Sequence, residues 1–333
     1  MNAVSWDSHS EELLRVKNLS VRYRGTPKDI HAVGGISFSI SKSEVFSLVG
    51  ESGCGKSTTA HAIARLLDEK KTTLGGQVFF DGCDLLALPW SEMTSYRGSR
   101  IGMIFQNPLD SLNPLWTAGY QIGEAIRCDG IDSSAALSMT EGLLGEVMIP
   151  DPARRTSSYP HELSGGMRQR VMIAMMISRR PSLLIADEPT TALDVTIQSQ
   201  ILDLIRELRR THQTSILLIT HDFGIVADMA DRVGVMYAGK LMEVGDVEAI
   251  FESPLHPYTQ KLMKALPNMP KGERRLEVIQ GSVPDMSAPI EGCAFRERCE
   301  EAFGRCEKWE GRMIEMGARH LVSCALFSGD GEP

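Results

Sequence analysis

The sequence predicts an α/β fold built on a mostly parallel sheet, and three observations predict it. A continuous apolar run, Val45–Val49, leads through Gly50-Glu-Ser-Gly-Cys-Gly-Lys-Ser57 into a helical pattern. A second apolar run, Leu183–Ala186, stops on the adjacent carboxylates Asp187 and Glu188. From there strand-like and helical patterns alternate, the signature of parallel strands joined by crossover helices.

The elements follow in order. Leu14–Tyr23 alternates roughly with period two, and Gly35–Ile40 does so again, so both read as half-buried strands. Val45–Val49 is apolar at nearly every position, as a strand buried on both faces requires. A helix is expected from about Lys56 to Leu67, then a strand Gln77–Phe80 closed by the turn pair Asp81-Gly82. Residues 107–160 change character, with Pro, Ser and Gly among several helical segments, and read as a helical insertion. After Leu183–Ala186, a helix of about Ile197–Thr211 places Ile201, Leu204, Ile205 and Leu208 on one face. Ser215–Thr220 is a further strand, and Val233–Val244, centred on Gly239, a hairpin. Beyond about Ile250 proline becomes frequent, which places a domain boundary there and divides the chain into 1–250 and 251–333.

Composition narrows the function. The chain has 333 residues, a net charge of −8, 42% hydrophobic and 23% charged residues, values ordinary for a globular protein. The acidic balance argues against a general nucleic-acid binder. No apolar run approaches the roughly 18–20 residues that a membrane-spanning helix needs. The opening stretch, MNAVSWDSHSEELL, is polar and acidic and does not read as a signal peptide. A cytoplasmic protein is therefore expected, with any membrane role reached through a partner.

The glycine-rich stretch matches G-x-x-x-x-G-K-[ST] between a strand and a helix, the context that a phosphate-binding loop requires. Gly50, Gly53 and Gly55 let the backbone bend and approach phosphate oxygens, and the following helix adds its N-terminal dipole. Lys56 supplies a point charge for the β- and γ-phosphates, and the Ser57 hydroxyl is a natural Mg²⁺ ligand. The expected contacts of ATP therefore include Gly50, Glu51, Ser52, Gly53, Cys54, Gly55, Lys56, Ser57 and Thr58. Cys54 reads as a small spacer rather than a catalytic thiol. Asp187 is placed to hold Mg²⁺ through water, and Glu188 to accept a proton from an attacking water. His221 follows the strand Ser215–Thr220, where it could reach a γ-phosphate.

Leu163-Ser-Gly-Gly-Met-Arg-Gln-Arg170 resembles the signature sequence of ABC ATPases almost letter for letter. Ser164 can cap the helix that runs to about Ser178, and Gly165 and Gly166 keep its first turn bare. The resemblance implies a P-loop NTPase with a RecA-like core, an antiparallel β-subdomain and a helical ABC subdomain at about 107–160. It implies two cassettes enclosing two ATP molecules head to tail, so that Ser164, Gly165 and Gly166 meet the nucleotide on the partner. By the same match Gln106 senses Mg²⁺ and the γ-phosphate, Ala192-Leu193-Asp194 crosses the dimer interface, and Tyr23 stacks on adenine.

Phe105-Gln-Asn-Pro-Leu-Asp-Ser-Leu-Asn-Pro114, Tyr159-Pro-His-Glu-Leu163 and His256-Pro-Tyr-Thr259 are similar to the oligopeptide, dipeptide and nickel importer ATPases. This narrower resemblance implies an importer at the cytoplasmic face of the inner membrane. Its expected partners are a second, paralogous ABC ATPase, two transmembrane permeases and an extracytoplasmic binding protein. A soluble ABC ATPase of translation or DNA repair is the alternative, but this chain has one phosphate loop and no long heptad region. A metal-binding regulatory protein retaining the fold conflicts with the intact Glu188.

The last stretch carries Cys293-x5-Cys299-x6-Cys306-x17-Cys324. Four thiolates can close a soft-metal site, and the spacing alone leaves zinc, iron–sulfur and unliganded thiols all open. His320 is a possible substitute ligand. The wording Cys-x-Phe-x-x-Arg-Cys from Cys293 to Cys299 resembles the peptide-importer tail that holds a [4Fe–4S] cluster in some members, which makes that cluster the expected occupant and Zn²⁺ the alternative. With few large apolar residues, the tail is expected to use such a centre in place of a core.

Overall fold

The computed structural model describes residues 12–25, 27–107, 111–191, 193–265 and 279–329. The opening stretch, the middle of the 105–114 segment and Ala192 lie outside the described residues, as do the prolines at 267 and 270. The chain divides into two compact units, Met1–Ala87 with Thr220–Pro333, and Leu88–Ile219.

In the first unit β1 (Glu12–Tyr23) pairs antiparallel with β2 (Ile30–Ser41) and with β4 (Thr72–Phe80). The alternation of β1 is only rough because its register shifts between Val16 and Leu19, where Asn18 takes a φ of +48°. That bulge keeps Leu14 and Val16 on the same buried face as Leu19 and Val21, although the spacing between the two pairs is odd. Ser37 holds the bulge by accepting the Asn18 N–H at 2.9 Å.

β3 (Val45–Val49) is buried at every residue and runs parallel to β9 (Arg232–Tyr237). The expected hairpin joins β9 to β10 (Lys240–Asp246) around Gly239. Arg232 is almost fully buried and donates to Glu44 and to the Ser39 carbonyl, both at 3.2 Å, so the start of β9 is pinned to the turn that feeds β3. The helix after the glycine-rich stretch spans Lys56–Ile63, shorter than expected. It ends because Arg65 enters the left-handed region at φ +50°, where its guanidinium caps the Leu85 carbonyl at 3.2 Å.

The tail joins this unit. β12 (His320–Val322) adds antiparallel to β10, and β11 (Ile314–Gly317) pairs with β12. Contrary to the expectation of a tail without a core, Trp309, Cys306 and Ala325 form a buried cluster with Cys293, Phe303 and Ile314 packed on it. Phe295 is fully buried against the rings of Tyr237 and Tyr258, at 5.4 and 5.1 Å between centroids.

In the second unit β6 (Ile101–Ile104), β7 (Leu183–Asp187) and β8 (Ser215–Ile219) are parallel, in the order β8-β7-β6. Between 107 and 160 lie the helices Ala118–Arg127, Ser133–Glu146 and Pro152–Arg155. Two further helices, Gly165–Ile177 and Val195–His212, flank β7 in sequence. Each of the four longer helices begins on a side-chain cap, Thr117, Asp132, Ser164 and Asp194 respectively. Among the described residues no helix is long and apolar enough to cross a membrane.

Candidate active site

The first unit builds the phosphate loop. β3 ends at Val49, and the chain turns at Gly50 with φ +151°, where a Cβ would lie 2.0 Å from the Met236 carbonyl oxygen. At Gly55, φ +104°, a Cβ would lie 2.3 Å from the Ala32 carbonyl oxygen. The glycines are therefore demanded by backbone of β9 and β2 crowding the loop from behind, as well as by the phosphates in front. Lys56 is 5% exposed, and its ammonium donates to the carbonyls of Gly50 at 2.8 Å and Glu51 at 3.0 Å. Those bonds hold the charge inside the loop. Cys54 is fully buried, and burial pushes its thiol up, which fits an inert spacer.

Tyr23 stands at the end of β1 with its hydroxyl 3.3 Å from that of Thr58, so the proposed adenine-stacking ring is tied to the phosphate-loop helix. The Thr220 N–H donates to the Leu48 carbonyl at 3.3 Å, which sets the exposed His221 beside the strand that feeds the loop.

The second unit carries the adjacent carboxylates Asp187 and Glu188. Asp187 closes β7 and is buried, with the half-buried Glu188 next in line. Glu188 takes φ +47°, a left-handed conformation that costs a non-glycine residue about 1–2 kcal/mol. The Glu188 N–H holds that turn by donating to the Ile219 carbonyl at the end of β8, 2.9 Å away. One carboxylate oxygen of Glu188 accepts from the Gln106 amide at 3.0 Å and from the Thr191 hydroxyl at 2.8 Å. Gln106 and Glu188, 82 positions apart, are thus brought together, with one oxygen of the glutamate bonded by two neutral donors.

Ser164 is exposed and caps the helix Gly165–Ile177 by accepting the Met167 N–H at 3.3 Å. Gly165 is half-buried, while Gly166 is buried because a Cβ there would meet Ile197 at 2.8 Å. Gly166 therefore also permits close packing against the helix Val195–His212, which Asp194 caps by accepting the Ile197 N–H at 3.0 Å.

Three residues with evident roles received none from the sequence, although each lies inside a stretch quoted above. Gln169, fully buried, donates to the Pro189 carbonyl at 2.7 Å and so ties the signature helix to the residue after Glu188. The Tyr258 hydroxyl accepts the Glu51 N–H at 3.1 Å, and Arg298 donates to the Glu51 carboxylate at 3.0 Å.

The four tail cysteines lie near one another: the Cys293 N–H donates to the Cys306 carbonyl at 2.7 Å, and burial chiefly, with neighbouring thiols adding to it, raises the pKa of each of Cys293, Cys299 and Cys324 against backbone N–H groups that lower it. Cys324 is pushed up to about 12. The donor chemistry suits a soft metal. The side chains as they stand do not form a metal-ready set, because no group of three or more His, Cys, Asp or Glu able to hold an ion occurs among the described residues. The expected ligation by Cys293, Cys299, Cys306 and Cys324 is therefore not formed by these side chains: Cys306 is buried in the Trp309 cluster and Cys293 packs against it. His320, the possible substitute ligand, bonds the buried Glu243 carboxylate through Nε2 at 2.7 Å.

Residues 33–191 match the ABC transporter family, and residues 242–306 match the family described as oligopeptide/dipeptide transporter, C-terminal region. A Sinorhizobium fredii protein named as a probable peptide ABC transporter ATP-binding protein is 47% identical over 315 residues, covering 94% of this chain and 94% of the relative. The dipeptide transport ATP-binding protein DppD of Bacillus subtilis is 44% identical over 332 residues, covering 96% of this chain and 99% of the relative. A solved dimeric ATP-binding cassette, in a post-hydrolysis state with ADP and Pi, is similar with a TM-score of 0.64 at 26% identity, covering 71% of this chain and 99% of that chain.

Proposed function

The chain belongs to the ATP-binding proteins of the oligopeptide/dipeptide ABC importer family, and from that premise we propose that it energises the uptake of peptides through ATP-driven closure of a cassette pair. The observation that carries the reading is the Glu188 carboxylate, held by Gln106 and Thr191 at the end of β7. Such a group can take the proton of an attacking water, and a family member lacking it would bind nucleotide without turning it over.

This chain's residues divide the work. The loop Gly50–Thr58 binds the triphosphate through backbone N–H groups. Lys56 moves from its two carbonyl partners to the β- and γ-phosphates. Glu188 accepts the water's proton, Gln106 orients it, and His221 steadies the γ-phosphate. Tyr23 stacks on adenine. Ser57, Gln106 and Asp187 offer the oxygen donors that a hard cation prefers, and would hold Mg²⁺. When bound, Mg²⁺ neutralises charge on the β- and γ-oxygens. Ser164, Gly165 and Gly166 serve the nucleotide of the companion cassette.

The cassette 1–250 and the extension 251–333 form the functional division in this reading, with the 107–160 insertion facing the permeases. The complex sits at the cytoplasmic face of the membrane and contains a second, paralogous ATPase, two permeases and an extracytoplasmic binding protein. Cys293, Cys299, Cys306 and Cys324 are the residues that would hold a [4Fe–4S] cluster, or zinc as the alternative, because thiolates suit soft metals.

The test is co-purification from the native host followed by peptide-stimulated ATP hydrolysis in reconstituted vesicles. Permeases in the complex and stimulation by peptide support the reading, whereas ribosomes or DNA as companions would refute it. Anaerobic protein should be brown and contain iron; colourless protein with stoichiometric zinc would replace the cluster with the alternative.

A further inference from the structure

Glu51, the first variable residue of the phosphate loop, is held from three sides within one unit. Its carbonyl accepts from Lys56 at 3.0 Å, its N–H donates to the Tyr258 hydroxyl at 3.1 Å, and its carboxylate accepts from Arg298 at 3.0 Å. Two of these three partners come from the C-terminal region, well over 200 positions away in sequence.

Neither partner is loosely placed. Tyr258 is fully buried, and the Arg298 side chain is 7% exposed. Arg298 also donates to the Tyr237 hydroxyl at 3.1 Å and to the carbonyls of Ile279 at 3.1 Å and Gln280 at 2.9 Å. Its planar fork is thereby fixed in one orientation, lying over the rings of Tyr237 and Phe295. Surface packing requires no such arrangement, because an exposed arginine would serve as well without losing its hydration.

Two consequences follow for the loop. Glu51 places a negative charge within a segment that must receive a triphosphate, and Arg298 cancels it locally. When Lys56 leaves the Gly50 and Glu51 carbonyls for the phosphates, Tyr258 and Arg298 still hold Glu51, so the loop keeps its shape while its lysine changes partners. We propose that Arg298 and Tyr258 are positioning residues for ATP, and that the C-terminal extension is thereby a working part of the nucleotide site. Both lie inside the region 242–306 that matches the oligopeptide/dipeptide C-terminal family.

The inference rests on the ATPase reading above, and its test separates the two. Steady-state hydrolysis is measured on the full chain and on R298Q, R298K, E51Q, E51Q/R298Q and Y258F, with KM for ATP and kcat taken separately and thermal midpoints recorded. R298Q is expected to raise KM about ten-fold with kcat changed less than two-fold, since a buried partner is lost but the proton acceptor is untouched. The double variant E51Q/R298Q should recover most of that loss, because the uncompensated carboxylate is gone, and R298K should fall between. Y258F should raise KM about three-fold, with the midpoint lowered by a few degrees for the Glu51 N–H left without its acceptor. If R298Q does not fold, R298K and Y258F carry the test alone. KM within two-fold of the unmutated chain in both R298K and Y258F would overturn the proposal, as would a double variant as impaired as R298Q. An unmutated chain that neither binds nor cleaves ATP would instead overturn the ATPase reading itself.

Discussion

At the scale of single residues, charge placement decides the outcome of substitution. Lys56 supplies the phosphate loop's ammonium and is already seated inside it, so Lys56→Ala should abolish ATP binding while leaving the fold intact; titration with a fluorescent ATP analogue measures this, and undiminished affinity would remove the role. Glu188→Gln keeps the shape and the Gln106 contact partner but cannot take a proton. It should preserve ATP affinity while lowering kcat by about 10²–10⁴-fold, read in a phosphate-release assay. A third prediction concerns His256, which is buried at the start of the helix Pro257–Lys264, where its Nδ1 accepts the Tyr258 N–H at 3.0 Å. Burial lowers its pKa from 6.5 to about 4, opposed by the nearby Glu243 carboxylate. Between those values the unfolded chain binds the proton and the folded chain does not. The native state is therefore favoured above pH 6.5 and loses up to about 3 kcal/mol as pH falls toward 4. His256→Asn retains a capping side chain without the ionisable ring, so its melting temperature should fall less steeply across that window than the unmutated chain's.

At the scale of elements, what the sequence made legible was whatever depends on local spacing. β3 matches the predicted Val45–Val49 residue for residue because a strand buried on both faces carries an uninterrupted apolar run. The helix Val195–His212 contains the predicted Ile197–Thr211, since its buried face repeats at helical spacing. Its added first turn belongs to Asp194, whose carboxylate caps it. Asp194→Ala should cost about 1 kcal/mol, seen as a lower urea midpoint with unchanged slope. Less legible were elements whose reasons lie elsewhere in the chain. β6 is only four residues long, and its Gly102 is kept small by the Met176 carbonyl, where a Cβ would approach to 3.0 Å. β11 and β12 depend on pairing with β10 and with each other, so no run of their own announces them. At the site, Gln106, Glu188 and the loop were legible because each sits in a motif. The roles of Gln169, Tyr258 and Arg298 were not, because their partners are backbone groups or side chains that sequence spacing cannot bring near.

At the scale of the whole molecule, the proposed function gives the chain two functional surfaces with different owners. In that reading the phosphate loop serves the nucleotide that this chain binds, whereas Ser164, exposed at the start of the helix Gly165–Ile177, serves the nucleotide of its companion. Among the described residues the Ser164 hydroxyl bonds its own helix turn, through Met167, so a bulky charged residue there need not disturb the loop built on β3. Ser164→Arg places a cation and a long side chain where the companion's triphosphate must dock. In the assembled complex it should lower ATP turnover by more than ten-fold, while a photoreactive azido-ATP still labels this chain at its ordinary level. Lys56→Ala should give the opposite pattern, with labelling lost from this chain and retained on the companion. The two substitutions thus separate the site that this polypeptide owns from the one it completes. Loss of azido-ATP labelling on this chain in the Ser164→Arg complex would show that the signature helix and the phosphate loop serve the same nucleotide, and the head-to-tail arrangement would have to be abandoned.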